Sequence, residues 1–356
     1  MNVSGQAGSP IDARVPVPTP LLTVKGLRVD FSLGRRHAPV RAVDDVSFAI
    51  AERETLGVVG ESGSGKSTIG RAILGLTAIE DGEVIFAGSD IAHASSRQRR
   101  AMSTDLQVVF QDPYGSLNPS RKVGESISEP LRAHRGYAKA DAKRLTGEML
   151  DRVGLPADAA DRFPSQFSGG QRQRIAIARA LIVQPRLVVC DEPVSALDLC
   201  VQAQVINLLR DVQDSTQLSY LFISHDLDVV RYMADRVLVL YRGRVMEVGD
   251  AEAVAARPAH PYTQALLQAQ PVPDPAVQRR RKPFGLAPDQ APAQTPANAC
   301  PFSGRCPHVQ EICVTQRPGL EAGPDGRQVA CHRWRELELA GETSGASANN
   351  RRRDRI

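Results

Sequence analysis

Hydrophobic and polar positions change period several times along the chain. Leu22 to Leu33 and Val40 to Ile50 alternate as half-buried strands do. Glu54 to Gly60 is a short apolar run of the kind a fully buried strand requires, and Lys66 to Leu76 has helical spacing. From about Gly115 to Gln184 the pattern turns helical, with charged stretches at Arg132 to Arg144, and Ile175, Ala178, Leu181 and Ile182 mark one helix face. Apolar strand-like runs return at Arg186 to Asp191 and Ser219 to Ser224, continue through Val237, and end in a last short strand at Arg244 to Val248. Strands alternating with helices predict an α/β fold around a parallel sheet, with a helical subdomain inserted at about 115–184.

The joints between these elements carry the chemistry. Gly60, Glu61, Ser62, Gly63, Ser64, Gly65, Lys66, Ser67 and Thr68 lie between a predicted strand and a predicted helix, where a phosphate-binding loop belongs. Its glycines let backbone N–H groups close around phosphates at a helix N-terminus. Lys66 would bridge the β- and γ-phosphates and Ser67 would hold Mg²⁺. The strand from Arg186 ends in Asp191 and Glu192, at the sheet edge where ligands sit in open parallel sheets. Asp191 would orient the magnesium shell and Glu192 would polarise the attacking water. The next strand delivers His225 to the equivalent edge, where an imidazole could hold that water in line. Ser168, Gly169, Gly170 and Gln171 open a helix and offer a second anion site. Alone these residues read equally as an ordinary helix cap; their position 23 residues before Asp191, and the chain's own phosphate cradle, point instead to a γ-phosphate held by another subunit.

With these pieces in order, the chain resembles the ATP-binding subunit of an ABC transporter, a P-loop NTPase. Gly60 to Thr68 match the Walker A motif, Phe167 to Gln171 the signature motif (with Phe where Leu is usual), and Leu187 to Glu192 the Walker B motif. Ser195 to Asp198 match the D-loop, His225 the switch histidine and Gln111 the Q-loop glutamine. The resemblance implies that Gln111 reaches magnesium and senses the membrane subunits, that Asp198 belongs to the nucleotide site, and that Phe31 stacks on adenine. A narrower similarity, to the oligopeptide and dipeptide importer branch and its second ATPase, rests on three runs: Asp112 to Pro119, Ser195 to Gln204, and His260 to Leu267. Ser120 and Cys200 depart from that branch's usual arginine and serine. The resemblance implies ATP and Mg²⁺ as cofactors. It also implies a second, similar ATPase subunit, two transmembrane permease subunits and, indirectly, an extracytoplasmic substrate-binding protein. The branch also includes nickel and glutathione importers.

Composition narrows the remaining classes. The chain has 356 residues, 42% of them hydrophobic, enough for one large domain with an appendage. A net charge of +4 argues against a dedicated nucleic-acid binder. No run approaches the ~18 apolar residues of a spanning helix, so the expected location is peripheral, on the cytoplasmic face of the membrane. A soluble ABC-type ATPase acting on nucleic acid or ribosomes is the alternative of another class, but such proteins usually carry paired cassettes or long coiled coils. A module that holds ATP without hydrolysing it is opposed by Glu192 and His225. The expected organisation is a disordered arm at 1–20, an ATPase domain at 21–258, an importer-type extension at 259–340 and a disordered tail at 341–356. Seven prolines between Pro271 and Ala299, with Arg279 to Lys282 among them, read as an extended connection.

Cysteine spacing adds one further candidate. Cys300, Cys306, Cys313 and Cys331 form C-x₅-C-x₆-C-x₁₇-C, while Cys190 and Cys200 stand apart in the ATPase core. Structural disulfides are disfavoured in a reducing cytoplasm, which leaves an iron–sulfur cluster, Zn²⁺ or unliganded thiols. The peptide-importer resemblance implies a [4Fe-4S] cluster here, with a structural role.

Overall fold

The computed structural model describes residues 19–32, 34, 39–112, 115–134, 136–270, 296 and 298–339. The expected arm lies almost wholly outside these residues. Arg279 to Lys282, the expected tail, and nearly all of the proline-rich connection lie outside them as well.

Two sheets organise the fold. The smaller is antiparallel, in the order β2-β1-β4-β5, from β1 (Leu22–Phe31), β2 (Val40–Ile50), β4 (Asp81–Phe86) and β5 (Ser89–Asp90). Leu22, Val24, Leu27 and Val29 of β1 point into the core; the alternation skips a residue at a register shift beside Gly26, whose φ of 57° suits a bulge.

The larger sheet runs β11-β12-β10-β9-β3-β8-β7-β6. Its centre is parallel, with β3 (Thr55–Val59) between β8 (Ser219–Ile223) and β9 (Arg236–Tyr241), and β7 (Leu187–Asp191) between β8 and β6 (Leu106–Val109). Every residue of β3, β7 and β8 is buried, which is why these segments read as apolar runs rather than alternating ones. The strand period still sorts their side chains. Leu187 and Val189 face the antiparallel sheet and helix α1 (Lys66–Ile73). Val188 and Cys190 face the helical side of the molecule.

That helical side contains α3 (Val123–His134), α4 (Lys139–Arg152), α5 (Gly169–Leu181), α6 (Leu199–Thr216) and α7 (Leu227–Met233). A short α2 (Ser96–Met102) precedes β6. Ile175, Ala178, Leu181 and Ile182 are all buried there. Helix α1 stops at Ile73, three residues short of the predicted Leu76, because Gly75 follows with a left-handed φ of 72°.

The sheet does not end where the pattern suggested. After β10 (Arg244–Asp250) come α8 (Ala251–Ala256), α9 (Pro261–Ala269) and α10 (Glu311–Thr315). Two-residue strands β11 (Glu321–Ala322) and β12 (Gln328–Val329) then join the edge, with Glu247 opposite Val329. A buried ion pair fixes this junction: Arg327 Nη1 donates to Glu247 Oε1 at 3.2 Å, and both side chains are at most 1% exposed. Glu247 also accepts the N–H groups of Ala259 and His260 at 2.9 and 3.0 Å, so its carboxylate is satisfied by three donors.

Candidate nucleotide site

Strand order places the chemistry. β3, β8 and β7 are neighbours and parallel, so the phosphate loop after β3, His225 after β8 and the carboxylates at the end of β7 share one carboxyl edge.

The loop takes a shape that only glycine allows at two points. A Cβ on Gly65, at φ 104°, would stand 2.4 Å from the Ala42 carbonyl oxygen, and one on Gly60 would stand 2.1 Å from that of Leu240. Gly65 caps α1, whose first residues are Lys66 and Ser67. Lys66 Nζ folds back on the loop and donates to the carbonyls of Gly60 and Glu61 at 2.8 and 2.9 Å. Burial lowers its pKa, an effect opposed by the charges of Glu192 and Asp191. Ser64 Oγ is buried in the loop without a hydrogen-bond partner, a polar atom that a bound phosphate would satisfy. The cradle therefore fits a nucleoside triphosphate.

The two candidate magnesium ligands also meet. Ser67 Oγ donates to Asp191 Oδ1 at 2.6 Å. Burial pushes the Asp191 pKa up, and the Ser67 hydroxyl and the Arg71 and Lys66 charges pull it back. A partly desolvated carboxylate beside a hydroxyl is a hard-oxygen pair suited to Mg²⁺ completed by phosphate and water oxygens.

One carboxylate gathers the remaining groups. Glu192 Oε2 accepts from Gln111 Nε2 at 3.2 Å and lies 3.3 Å from His225 Nδ1. The structure thus places Gln111 on Glu192 rather than on the Ser67–Asp191 pair. Glu192 has a left-handed φ of 47°, costly for a residue with a Cβ; its N–H donates to Ile223 O at 3.0 Å and its carbonyl accepts from Ser195. That twist turns the side chain off the strand line of Asp191, separating the two carboxylates into two positions.

Other residues read from the sequence stand apart from this cluster. Ser168 caps α5 through a reciprocal box, Gln171 N–H to Ser168 Oγ and Ser168 N–H to Gln171 Oε1. The side-chain hydrogen bonds of these two residues are with each other. Gly170 packs so tightly on α6 that a Cβ would sit 2.2 Å from Val201 Cγ1. Asp198 caps α6 by accepting the Val201 N–H, followed by Leu199, which is 82% exposed. Phe31 ends β1 opposite Val40 and is exposed, as a stacking surface must be. The motif spacing did not indicate Tyr262 and Arg305, yet both touch Glu61. The available signals were indirect: Tyr262 lies in the His260 to Leu267 run, and Arg305 between two of the four spaced cysteines.

Cys300, Cys306, Cys313 and Cys331 line one small cavity with His260 and Phe302. Burial pushes the Cys300 thiol up to about 12 and that of Cys306 to about 11. Among the described residues, no group of three or more His, Cys, Asp or Glu is placed to hold a metal ion. The four thiols converge on one cavity, but their arrangement does not support the expected cluster.

Comparison with known proteins agrees with this geometry. Residues 43–195 match the family described as ABC transporter, and residues 246–313 match the oligopeptide/dipeptide transporter C-terminal region. The chain is 44% identical to the putative oligopeptide transport ATP-binding protein YkfD of Bacillus subtilis over 90% of this chain and 97% of that one. It is 43% identical to the oligopeptide transport ATP-binding protein OppF of Haemophilus influenzae, over 87% and 96%. A solved dimer of the ATP-binding cassette MJ0796, in a post-hydrolysis state bound to ADP and Pi, superposes with a TM-score of 0.60 at 28% identity. That match covers 65% of this chain and 98% of the other.

Proposed function

The chain belongs to the ABC transporter family of ATP-binding subunits, and from that premise we propose that it hydrolyses ATP to energise the import of di- or oligopeptides. The observation that carries the enzymatic part is the shared edge of β3, β8 and β7, where Lys66, Ser67, Asp191, Glu192 and His225 converge. The loop from Gly60 to Thr68 would hold the triphosphate, and Ser67 and Asp191 would hold Mg²⁺, which would supply charge neutralisation. Glu192 takes the proton of the attacking water, and His225 and Gln111 hold the carboxylate in place.

The similarity to a cassette solved as a dimer supports a two-subunit arrangement, with the N-terminus of α5 at Ser168 facing the partner. In this reading that N-terminus meets the γ-phosphate bound by a second, similar ATPase, and Asp198 approaches the same interface. Two permease subunits receive the closure through the Gln111 region, and a substrate-binding protein outside the membrane supplies cargo. No helix among the described residues is long and apolar enough to cross a membrane, which supports peripheral attachment through those permeases at the cytoplasmic face. For the four cysteines the all-thiol donor set suits a [4Fe-4S] cluster or Zn²⁺, while an arrangement that forms no metal-holding group among the described residues favours unliganded thiols. Iron, sulfide and zinc analysis of anaerobically purified protein decides between them.

Affinity purification of the chain from detergent-solubilised native membranes tests the importer reading. Recovery of two permeases and a second ATPase is expected. Recovery from the soluble fraction with ribosomal or DNA-repair proteins would overturn transport and leave the ATPase standing.

A further inference from the structure

Glu61, the second residue of the phosphate loop, is held at all three of its polar groups. Its carbonyl accepts from Lys66 Nζ at 2.9 Å. Its N–H donates to Tyr262 Oη at 2.9 Å. Its carboxylate accepts from Arg305 Nη1 at 3.0 and 2.8 Å, one contact to each oxygen. The first of these tethers comes from the loop's own helix. The other two come from the C-terminal extension, 201 and 244 residues away in the chain.

Both distant tethers are rigidly mounted. Tyr262 is fully buried at the start of α9, and burial raises its pKa, so the hydroxyl stays neutral and able to accept. Its ring packs against Tyr241 at 4.6 Å and Phe302 at 5.3 Å between centroids. Arg305 lies over the faces of Tyr241 and Phe302 at 6.0 and 5.9 Å, and its side chain is only 14% exposed. The backbone N–H of Arg305 donates to Phe302 O, so the aromatic platform and the guanidinium form one unit.

Two physical consequences follow for a loop that must take a triphosphate. When Lys66 turns from the loop carbonyls to the nucleotide, Glu61 keeps its other two tethers, and the loop is not freed at the moment it must be ordered. Moreover, a carboxylate one residue into a phosphate cradle repels the ligand, and a guanidinium paired to it cancels that charge.

Resting on the ATP-binding reading above, we propose that Arg305 and Tyr262 of the C-terminal extension are positioning residues for the phosphate loop. They hold Glu61 in place, and Arg305 neutralises its charge against the triphosphate. The extension is thereby part of the nucleotide site, although it reaches no phosphate.

The test is Mg-ATP affinity of the purified full-length chain, read with a fluorescent ATP analogue. Arg305→Met is expected to weaken binding about ten-fold, and Arg305→Lys to restore most of it. The decisive variant is Glu61→Gln in the Arg305→Met background: removing the unpaired carboxylate should recover affinity to within about three-fold of wild type. A purely structural role for Arg305 would not produce that recovery. Tyr262→Phe, which deletes only the hydroxyl, should weaken binding about three-fold and serves if Arg305→Met does not fold. Wild-type affinity in both Arg305→Met and Tyr262→Phe, or no recovery in the double variant, overturns the proposal. A wild-type chain that binds no ATP, indistinguishable from Lys66→Ala, overturns the functional reading and this inference with it.

Discussion

At the scale of single residues, the site depends on positions where a side chain is forced or forbidden. Glu192 accepts a left-handed backbone because two hydrogen bonds hold it there, and the reward is a carboxylate turned toward Gln111 and His225. Gly170 is the opposite case. It has no room for a Cβ against Val201, so the N-terminus of α5 rests directly on α6. Gly170→Ala is expected to cost about 1–3 kcal/mol through overpacking, seen as a lower thermal midpoint of the purified chain. An unchanged midpoint would mean that α6 yields freely and that the contact does not set the helix position.

At the scale of elements, the C-terminal extension is joined to the sheet both by apolar packing of Tyr262 and Phe302 on Tyr241 and by a buried ion pair. β11 and β12 are two residues each, and the polar part of the junction centres on the fully buried pair of Arg327 and Glu247. Arg327→Met leaves Glu247 buried without its counter-charge, at a cost of about 3–5 kcal/mol. Limited proteolysis should then release the extension faster than in wild type, while wild-type protection would show that the pair is dispensable. This junction was not legible in the sequence, because two-residue strands have no period and Arg327 reads as one more surface arginine. The central strands were legible for the reverse reason: β3, β7 and β8 are buried on both faces and stand out as apolar runs. The nucleotide residues were legible because loop, carboxylates and histidine each fall at the end of such a run. The twist at Glu192, the Glu192 partner of Gln111 and the Arg305 contact were not, since each arises from tertiary approach rather than from spacing.

At the scale of the whole molecule, the fold gathers the phosphate loop, carboxylates and histidine at one edge and leaves the caps of α5 and α6 apart from them. Lys66, Ser67, Asp191, Glu192 and His225 gather at one sheet edge, while Ser168 and Gln171 bond to each other and Leu199 stands 82% exposed beside Asp198. In the proposed two-subunit arrangement that division lets each nucleotide meet residues of both chains, and hydrolysis is the step it serves. Phosphate release by the Glu192→Gln variant, compared with wild type in the same assembled complex, tests this most directly. The account predicts a fall of at least about a hundred-fold in turnover with ATP retained and the two ATPases held together. Turnover near the wild-type rate would show that Glu192 is not the base and would contradict the mechanism.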